Sequence, residues 1–465
     1  MSKIGRTSYD FVPHILDALC DNYNALYKCS LVSKDFNVIA SRLLYHRVVF
    51  SPPFRPVLNL RDRGTLTEPS QFTSACLPQY APLVKELRIS GFLSTRPPPL
   101  HTFSVTLLNA VRVFDHLRAV CFTPTTYHEE LFTQTLQALI DIGSLEDLAV
   151  NSSCTDAPRA PLITQIRGLS KLELHNPTRA ILELLPDWLD QLSETLRELH
   201  LKGNCGSITP GVLNAFVLPP LQSHLRALSL GLSYSLTHDI TSKFLNNFSQ
   251  LEELELRYYW QLKEPTIHLT LGRLRKFTVL YAKTAAKREA SSLCKWMRTV
   301  ISRSPIEVLH VACDQADDNT NSGANISFDS IIDHLSKKHA ATVHFLDLRS
   351  SYVGVAGLRA LFSSCLQLEQ FHVAAGKGAL TIFEQHYGEL KHLRVAGFEL
   401  HNVNRRKRQL NRESVRGLMQ NGPSTFRTLI MNGITWMGFW TAEPGGNIVF
   451  AVDVCAPVKF PWERE

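Results

Sequence analysis

A six-residue pattern, apolar at its first, fourth and sixth positions, recurs along most of this chain of 465 residues. Its thirteen copies begin at Val84, Leu117, Leu145, Leu169, Leu196, Leu225, Leu251, Leu274, Ile306, Val343, Leu368, Leu390 and Phe426, with a mean spacing of 28.5 residues. The alternation within the pattern predicts a strand that buries one of its faces. Since a unit of this size cannot bury its own core, the copies must stack on one another.

The period and the pattern resemble those of leucine-rich repeats. The segment 196–204 matches the longer consensus of that family, including a final asparagine whose side chain can hydrogen-bond the turn after the strand. Amphipathic stretches lie between the patterns, at 181–189, 240–245, 328–335 and 355–362, and each predicts a helix. The resemblance implies an α/β solenoid, with parallel strands on a concave face and helices outside.

The composition is that of an ordinary globular protein, with 44% hydrophobic and 20% charged residues. A formal net charge of +7 is mild for this length and does not indicate a nucleic-acid partner. The ten cysteines are scattered without a C-x-x-C pair, which favours a reducing compartment. No apolar run is long enough for a secretory signal or a membrane span, so we expect a cytoplasmic or nuclear protein, or both, without a membrane partner.

Three short helices are predicted in the first 50 residues. Pro13 suits the first turn of a helix, where its missing N–H removes no hydrogen bond. Ser33 is a plausible N-cap for the third helix. That helix carries one apolar stripe, formed by Phe36, Ile39, Ala40, Leu43 and Leu44. Three helices in so few residues make a marginal domain, so the block should pack on a neighbour or a partner.

We divide the chain into a helical block at 9–50, a connecting segment at 51–82 and a repeat array at 83–455. The end of the array diverges from the pattern and carries two apolar segments, 436–440 and 448–452. We expect their aromatic residues to be core residues that close the last repeat.

The order of residues in the helical block resembles the F-box. The resemblance rests on Val12-Pro13, Ile15-Leu16, segment 28–37, segment 42–45 and the strand-like segment 44–51. His14 stands where the family usually has an acidic residue after the proline. The resemblance implies docking on a Skp-family adaptor through Val12, Pro13, Ile15, Leu16, Leu31 and Val32, with Phe36 nearer the core. For each of these residues the alternative is packing inside the three helices.

The sequence lacks signatures of catalysis and of metal or cofactor binding: there is no G-x-S-x-G, no H-E-x-x-H and no C-x-x-C. Segment 376–381 lacks the third glycine of a dinucleotide loop. Segment 317–328 lacks the glycine and the glutamate of a calcium loop. The basic run 405–408 is a charged loop, a nuclear address or a contact for an acidic partner. We therefore expect no catalytic residue, no metal and no cofactor, and a hydrolase site assembled only on folding is the remaining enzymatic alternative.

Positions three, five and seven of the pattern should point away from the core, because side chains alternate along a strand. The target-binding candidates that we choose from this face are His200, Lys202, Glu255, Arg257, Arg349 and Arg394. Tyr258 and Trp260 follow one strand directly, and exposed aromatic residues beside charges can anchor a protein partner. The alternative is a sheet face that is only solvated.

An F-box-like block followed by such an array resembles the F-box/leucine-rich-repeat proteins. The resemblance implies a substrate-recognition subunit of an SCF-type ubiquitin ligase, which is not itself an enzyme. The block would bind the Skp-family adaptor and, through it, a cullin–RING ligase, while the array would bind a target protein that the sequence does not identify. The alternative is a leucine-rich-repeat scaffold that is not coupled to ubiquitylation.

Overall fold

The computed structural model describes residues 11–19, 22–53, 70–93, 99–126, 131–263, 265–282, 287–314, 327–401, 410–443 and 445–457. The basic run 405–408 lies outside them, as does most of segment 317–328. The chain forms two compact units. Unit 1 comprises Met1–Leu225 with Leu232–Ser235, and unit 2 comprises Arg226–Gly231 with Leu236–Glu465.

Unit 1 begins with three helices and continues with strands that alternate with helices. The helices are α1 (Phe11–Asp17), α2 (Tyr23–Ser30), α3 (Lys34–His46), α4 (Ser70–Ala75), α5 (Pro99–Val113), α6 (Thr133–Ile140), α7 (Ser152–Thr155), α8 (Ala160–Ile163), α9 (Arg179–Leu192), α10 (Pro210–Ala215) and α11 (Pro219–His224). The strands are β1 (Arg47–Phe50), β2 (Glu86–Phe92), β3 (Ala119–Thr126), β4 (Asp147–Val150), β5 (Lys171–His175) and β6 (Glu198–Asn204). Each strand pairs in parallel with the next.

Unit 2 continues the same alternation and ends in a hairpin. Its strands are β7 (Ala227–Leu232), β8 (Glu253–Tyr258), β9 (Lys276–Tyr281), β10 (Val308–Cys313), β11 (Phe345–Val353), β12 (Gln370–Ala375), β13 (Val395–Leu400), β14 (Thr428–Met431), β15 (Ile434–Ala442) and β16 (Ile448–Cys455). Its helices are α12 (His238–Leu245), α13 (Lys287–Ile301), α14 (Asp329–Lys338), α15 (Val355–Ser364), α16 (Ala379–His386) and α17 (Arg412–Asn421). β7 to β14 are parallel neighbours, whereas β14, β15 and β16 pair antiparallel.

The apolar positions of the pattern form the core of each unit. Leu199 and Leu254, at the fourth position in β6 and β8, are both buried. In-register pairing stacks Leu172 on Leu199, and Leu254 on Phe277, so that equivalent side chains lie one above another. Each unit is therefore an α/β leucine-rich-repeat solenoid, as the sequence predicts.

Asparagine side chains fix the turn after a strand, as expected for segment 196–204. Asn176 Oδ1 accepts a hydrogen bond from the backbone N–H of Asn204 at 2.7 Å. Asn204 Oδ1 in turn accepts one from the N–H of Gly206 at 3.0 Å. Gly203 between them has φ +73°, and a Cβ there would overlap the Asn176 amide, so this turn needs glycine.

The repeat predicted to begin at Leu390 is out of frame by three residues. Val395, not His392, pairs with Gln370 at the third position of the preceding repeat. The pattern therefore begins at Leu393. Leu390 and Leu393 are both buried and both fit an apolar first position, so the sequence alone offered two frames.

The first strand lies earlier than the array boundary that we predicted. β1 falls within 9–50 and pairs with β2. The chain thus passes from α3 directly into the sheet, and the helical block and the first repeats share unit 1.

Candidate docking surfaces

The helices α1, α2 and α3 enclose a small apolar core of their own. Leu16, Leu26 and Ala40 are buried at its centre. Packed around them are Val12, Leu19, Cys29, Phe36, Ile39, Leu43 and Leu44. The Ser33 hydroxyl accepts a hydrogen bond from the N–H of Phe36 at 3.3 Å, so the predicted N-cap and apolar stripe of α3 are both confirmed.

The predicted adaptor contacts on α1 differ in their exposure to solvent. Leu16 is 1% exposed, so its expected place on the docking surface is wrong and the alternative of internal packing holds. Val12 is half-buried against the same core, and Pro13 is also half-buried. Ile15, by contrast, is 60% exposed. Successive residues of a helix point about 100° apart, so Ile15 and Leu16 cannot share one face.

Apolar side chains are exposed on all three helices of the block. Leu31 and Val32, at the turn after α2, are each 68% exposed. The exposed apolar set of the block is Phe11, Ile15, Tyr23, Tyr27, Leu31, Val32 and Val38. Sequence reasoning missed four of its members, Phe11, Tyr23, Tyr27 and Val38. The signal that could have identified them is an apolar residue that lies outside the buried stripe of its helix, as Val38 does in α3.

The block is held firmly to the first repeats. The rings of Tyr45 and Tyr80 stack with centroids 4.1 Å apart. The His46 carbonyl accepts a hydrogen bond from the N–H of Lys85 at 2.9 Å. Arg47 Nε lies 2.6 Å from a carboxylate oxygen of Glu86 on the neighbouring strand. These contacts fix how the block is oriented on β1 and β2.

On the strand face of unit 1, the predicted candidates surround a buried carboxylate. Glu173 Oε1 lies 2.6 Å from His175 Nε2 and 2.9 Å from Lys202 Nζ. Burial would raise the pKa of Glu173, but the hydrogen bonds and charges of His175 and Lys202 outweigh it and hold this pKa well below its usual value. His200 lies 3.4 Å from Glu198. Lys171 Nζ joins the two pairs, since it lies 4.0 Å from Glu173 and 3.7 Å from Glu198, so His200 and Lys202 belong to one ion-paired network.

On the strand face of unit 2, the predicted arginines are also paired. Arg257 at the end of β8 forms an ion pair with Asp314. Arg349 donates two hydrogen bonds to Oδ2 of the fully buried Asp347 carboxylate, from Nε at 2.8 Å and from Nη2 at 2.7 Å. Glu255 is half-buried two residues before Arg257. Because β8 and β11 are three strands apart, Glu255 and Arg257 lie some 14 Å from Arg349 along the sheet.

The aromatic residues at the end of β8 and just after it are less accessible than the sequence suggested. Tyr258 is 4% exposed, so the expectation that it faces a partner is wrong. Its ring stacks on His238 at 5.1 Å and contacts Trp296 at the same distance. Tyr258 continues the strand alternation and points to the core. Trp260 is half-buried and donates its indole N–H to the carbonyl of Ala282 at 2.7 Å.

Arg394 is not a strand-face residue. With the frame beginning at Leu393, Arg394 occupies position two and precedes β13, so its predicted place at position five is wrong. It is largely exposed, and its Nε lies 3.7 Å from Glu369. Glu369 is the position-two residue of the preceding repeat, so Arg394 belongs to the edge of the sheet.

Two histidines that were not chosen as candidates lie on the strand face of unit 2. His310 Nε2 is 3.5 Å from Asp347, and His372 Nε2 is 3.2 Å from Glu399. Gly397, directly opposite His372 in the sheet, leaves the space that the imidazole occupies, since a Cβ there would lie 2.6 Å from His372 Cγ. Glycine at a strand position marked this close approach in the sequence.

Among the residues that the structure describes, no three His, Cys, Asp or Glu side chains converge in a way that could hold a metal ion. Over the same residues, no helix has the length and apolar character needed to cross a membrane.

No protein-family model matches the chain, and no curated protein matches its sequence. Among solved structures, one similar chain belongs to the Rad7 and Elc1 complex in yeast, with a TM-score of 0.38, 12% identity, and coverage of 91% of this chain and 88% of that chain. Another belongs to the TLR13–ssRNA13 complex, with a TM-score of 0.28, 12% identity, and coverage of 76% and 58%. At these values neither likeness supports an argument about function, and the fold rests on the strand pairing described above.

Proposed function

We propose that this protein is the substrate-recognition subunit of an SCF-type ubiquitin ligase. The helical block binds a Skp-family adaptor, which links it to a cullin–RING ligase, and the strand faces of the repeats bind a target protein. The observation that carries this proposal is the exposed apolar set on a three-helix block whose own core is already filled.

Exposed apolar residues at this density favour a docking surface. Ile15, Leu31 and Val32 each expose more than half of their surface, although the block has few residues with which to stabilise itself. Burying one such side chain in a complex contributes about 1.5–3 kcal/mol. Exposed apolar side chains in such number on a small block are typical of an interaction site. An adaptor that covers them would stabilise the block as well as bind it.

The firm junction between block and repeats supports a role in positioning. Tyr45, His46 and Arg47 fix the block to Tyr80, Lys85 and Glu86, at the start of the first repeat. A target held on the nearby repeats would therefore keep a defined position relative to the adaptor. Ubiquitin transfer gains from such proximity, because a tethered lysine reacts at a high effective concentration.

The candidates for target binding are the strand-face residues that remain accessible. They are His200, Lys202, Glu255, Arg257, Trp260 and Arg349. Their ion pairs hold the charged groups in fixed positions, so a partner meets a preorganised pattern of charge. Such patterns contribute to specificity and association rate more than to affinity.

The experiment is a calorimetric titration of a purified Skp-family adaptor into the full chain. The test variant is Ile15→Asp with Leu31→Asp, both at exposed sites. The matched control is Val105→Asp, which replaces an exposed valine on α5 of the same unit. We expect the double variant to lose at least about a hundredfold in affinity, since two apolar anchors are replaced by charges. Equal affinity in wild type and double variant would show that Ile15 and Leu31 are not docking residues, and no binding by wild type would favour the scaffold alternative.

A further inference from the structure

The hairpin that ends unit 2 is more exposed than a capping element needs to be. Its aromatic residues were expected to be core, but Trp440 is 60% exposed. On β16, Phe450 and Val452 are buried, whereas Ile448 is 72% and Val454 is 58% exposed. The two ends of one face of β16 therefore present apolar side chains to solvent.

The backbone of β16 has an open edge. Gly438 of β15 donates its N–H to the carbonyl of Arg427, the residue before β14, at 2.8 Å, so the hydrogen-bonding groups of Gly438 point away from β16. Val452, its partner in the antiparallel register, must then point its own N–H and C=O outward. By alternation the same holds for Ile448, Phe450 and Val454. Within the described part of the chain, β16 pairs on its β15 side only.

One arginine occupies this edge. Arg412, at the start of α17, donates from Nε to the outward carbonyl of Val452 at 2.5 Å. Its Nη2 lies 2.5 Å from Asp453, which is the single charged residue in β16. Open, apolar edge strands tend to pair with other chains, and a charged group on the edge is a common way of preventing this. The Arg412 guanidinium both covers the central carbonyl and neutralises Asp453.

We propose that the outer edge of β16 is a pairing surface for β16 of a second copy of this chain, and that Arg412 weakens this pairing. The strand is self-complementary. An antiparallel two-fold axis at Ala451 places Ile448 opposite Val454 of the second copy, and Phe450 opposite Val452. All four residues point their backbone N–H and C=O groups outward, so each pair of opposite residues can form hydrogen bonds between the two copies. The exposed side chain of Ile448 on one copy then packs against that of Val454 on the other.

Such a two-fold contact uses the same strand edge on both copies, so no open edge of β16 is left for a third copy. The assembly is therefore a closed dimer. In the dimer, the Phe450 N–H of one copy donates to the Val452 carbonyl of the other. That is the acceptor which Arg412 Nε holds in the single chain. Arg412 and the second copy therefore compete for one oxygen atom.

The first experiment is sedimentation equilibrium of the full chain over a range of concentrations. Arg412→Ala should lower the dissociation constant of the dimer by about tenfold to a hundredfold. This is the effect expected when a competing hydrogen bond from a charged group is removed. Arg416→Ala, one turn along the same exposed helix face, should leave it unchanged. An unchanged dissociation constant in Arg412→Ala, or assemblies larger than dimers, would overturn the proposal.

The second experiment tests the register in the Arg412→Ala background. Ile448→Lys should weaken the dimer at least tenfold, and adding Val454→Glu should restore it, because the proposed axis places the new opposite charges face to face. Failure of either step would overturn the pairing. If Arg412→Ala does not fold, amide exchange in wild type decides the question. The amides of Ile448 and Phe450 should be protected at high protein concentration, and equal exchange at high and low concentration would contradict the proposal.

Discussion

The ammonium nitrogen of Lys202 lies 2.9 Å from Glu173, on the neighbouring strand, and that carboxylate is almost completely buried. From the sequence, Lys202 was a target-binding candidate on the strand face, with a face that is only solvated as the alternative. In the structure Lys202 neutralises a carboxylate that the sheet has already removed from water. Part of the charge that a target could meet therefore also holds the repeats of unit 1 together.

Replacing Lys202 with alanine should destabilise unit 1. Removing Lys202 leaves the buried carboxylate of Glu173 with His175 as its remaining close partner, so we expect a cost of about 2 kcal/mol, that of a hydrogen bond to a charged group. The measurement is the free energy of unfolding in denaturant. The control is Arg179→Ala, which breaks the exposed pair with Glu183 and should cost no more than about 0.5 kcal/mol. Equal losses in the two variants would show that Glu173 does not depend on Lys202.

Leu16 and Ile15 should respond in opposite ways to truncation. Leu16→Ala removes a side chain from the centre of the helical block and should cost about 3 kcal/mol, because the small core cannot refill the cavity. Ile15→Ala should change stability by less than about 0.5 kcal/mol. Thermal unfolding followed by circular dichroism checks both. A large loss for Ile15→Ala would mean that this side chain packs in the core.

Gly397 should be needed for the position of His372. In Gly397→Ala the new methyl group must displace the imidazole from Glu399, at a cost of about 1–3 kcal/mol. Gly417→Ala is the control, since it lies in α17 with open space around it and should stabilise by up to about 1 kcal/mol. The comparison uses unfolding midpoints together with the ring chemical shifts of His372. Unmoved ring resonances in Gly397→Ala would contradict the predicted clash.

Unit 2 should lose stability in mild acid because of His339. Burial, together with the charges of His334 and Lys338, lowers the pKa of His339 from 6.5 to about 4. Among the described residues its Nε2 has no hydrogen-bond partner, and Arg298 of α13 and Asp333 are the other charged groups near the histidine pair. Between pH 6.5 and about 4 the imidazole of His339 is protonated in the unfolded chain but not in the folded chain. The free energy of unfolding is therefore highest above pH 6.5 and decreases as the pH falls toward 4.

The measurement for His339 is the denaturant midpoint at pH 7.5 and at pH 4.5. His339→Gln should remove part of the fall between these values, whereas His392→Gln, at an exposed site, should leave it intact. An identical fall in wild type and His339→Gln would exclude this histidine as its source.

Much of the fold followed from one periodicity. Twelve of the thirteen patterns lie in the predicted frame, because a fourth-position residue such as Leu199 must face the core whatever surrounds it. The frame failed at Leu390, where two apolar first positions compete. Tyr258 was misassigned for a related reason, since the strand continues its alternation beyond the sixth position and carries this ring inward.

The surfaces were less predictable than the core. The sequence does not show whether Ile15 or Leu16 is the exposed residue, because that depends on which face of α1 packs on α3. Pairing between separate repeats, such as Glu173 with Lys202, depends on a register that the pattern alone does not give. The antiparallel turn between β14 and β15, made by Asn432 and Gly433 at positive φ, could have been read from the Asn-Gly pair between apolar runs.

The most direct measurement compares ubiquitylated proteins in cells that carry the wild-type chain or the Ile15→Asp, Leu31→Asp variant, with captured partners determined in parallel. We expect the variant to capture the same target proteins as wild type, and we expect these targets to lose their ubiquitin. Targets that stay equally ubiquitylated with both chains would contradict the proposed role of the helical block and leave the repeats as a scaffold.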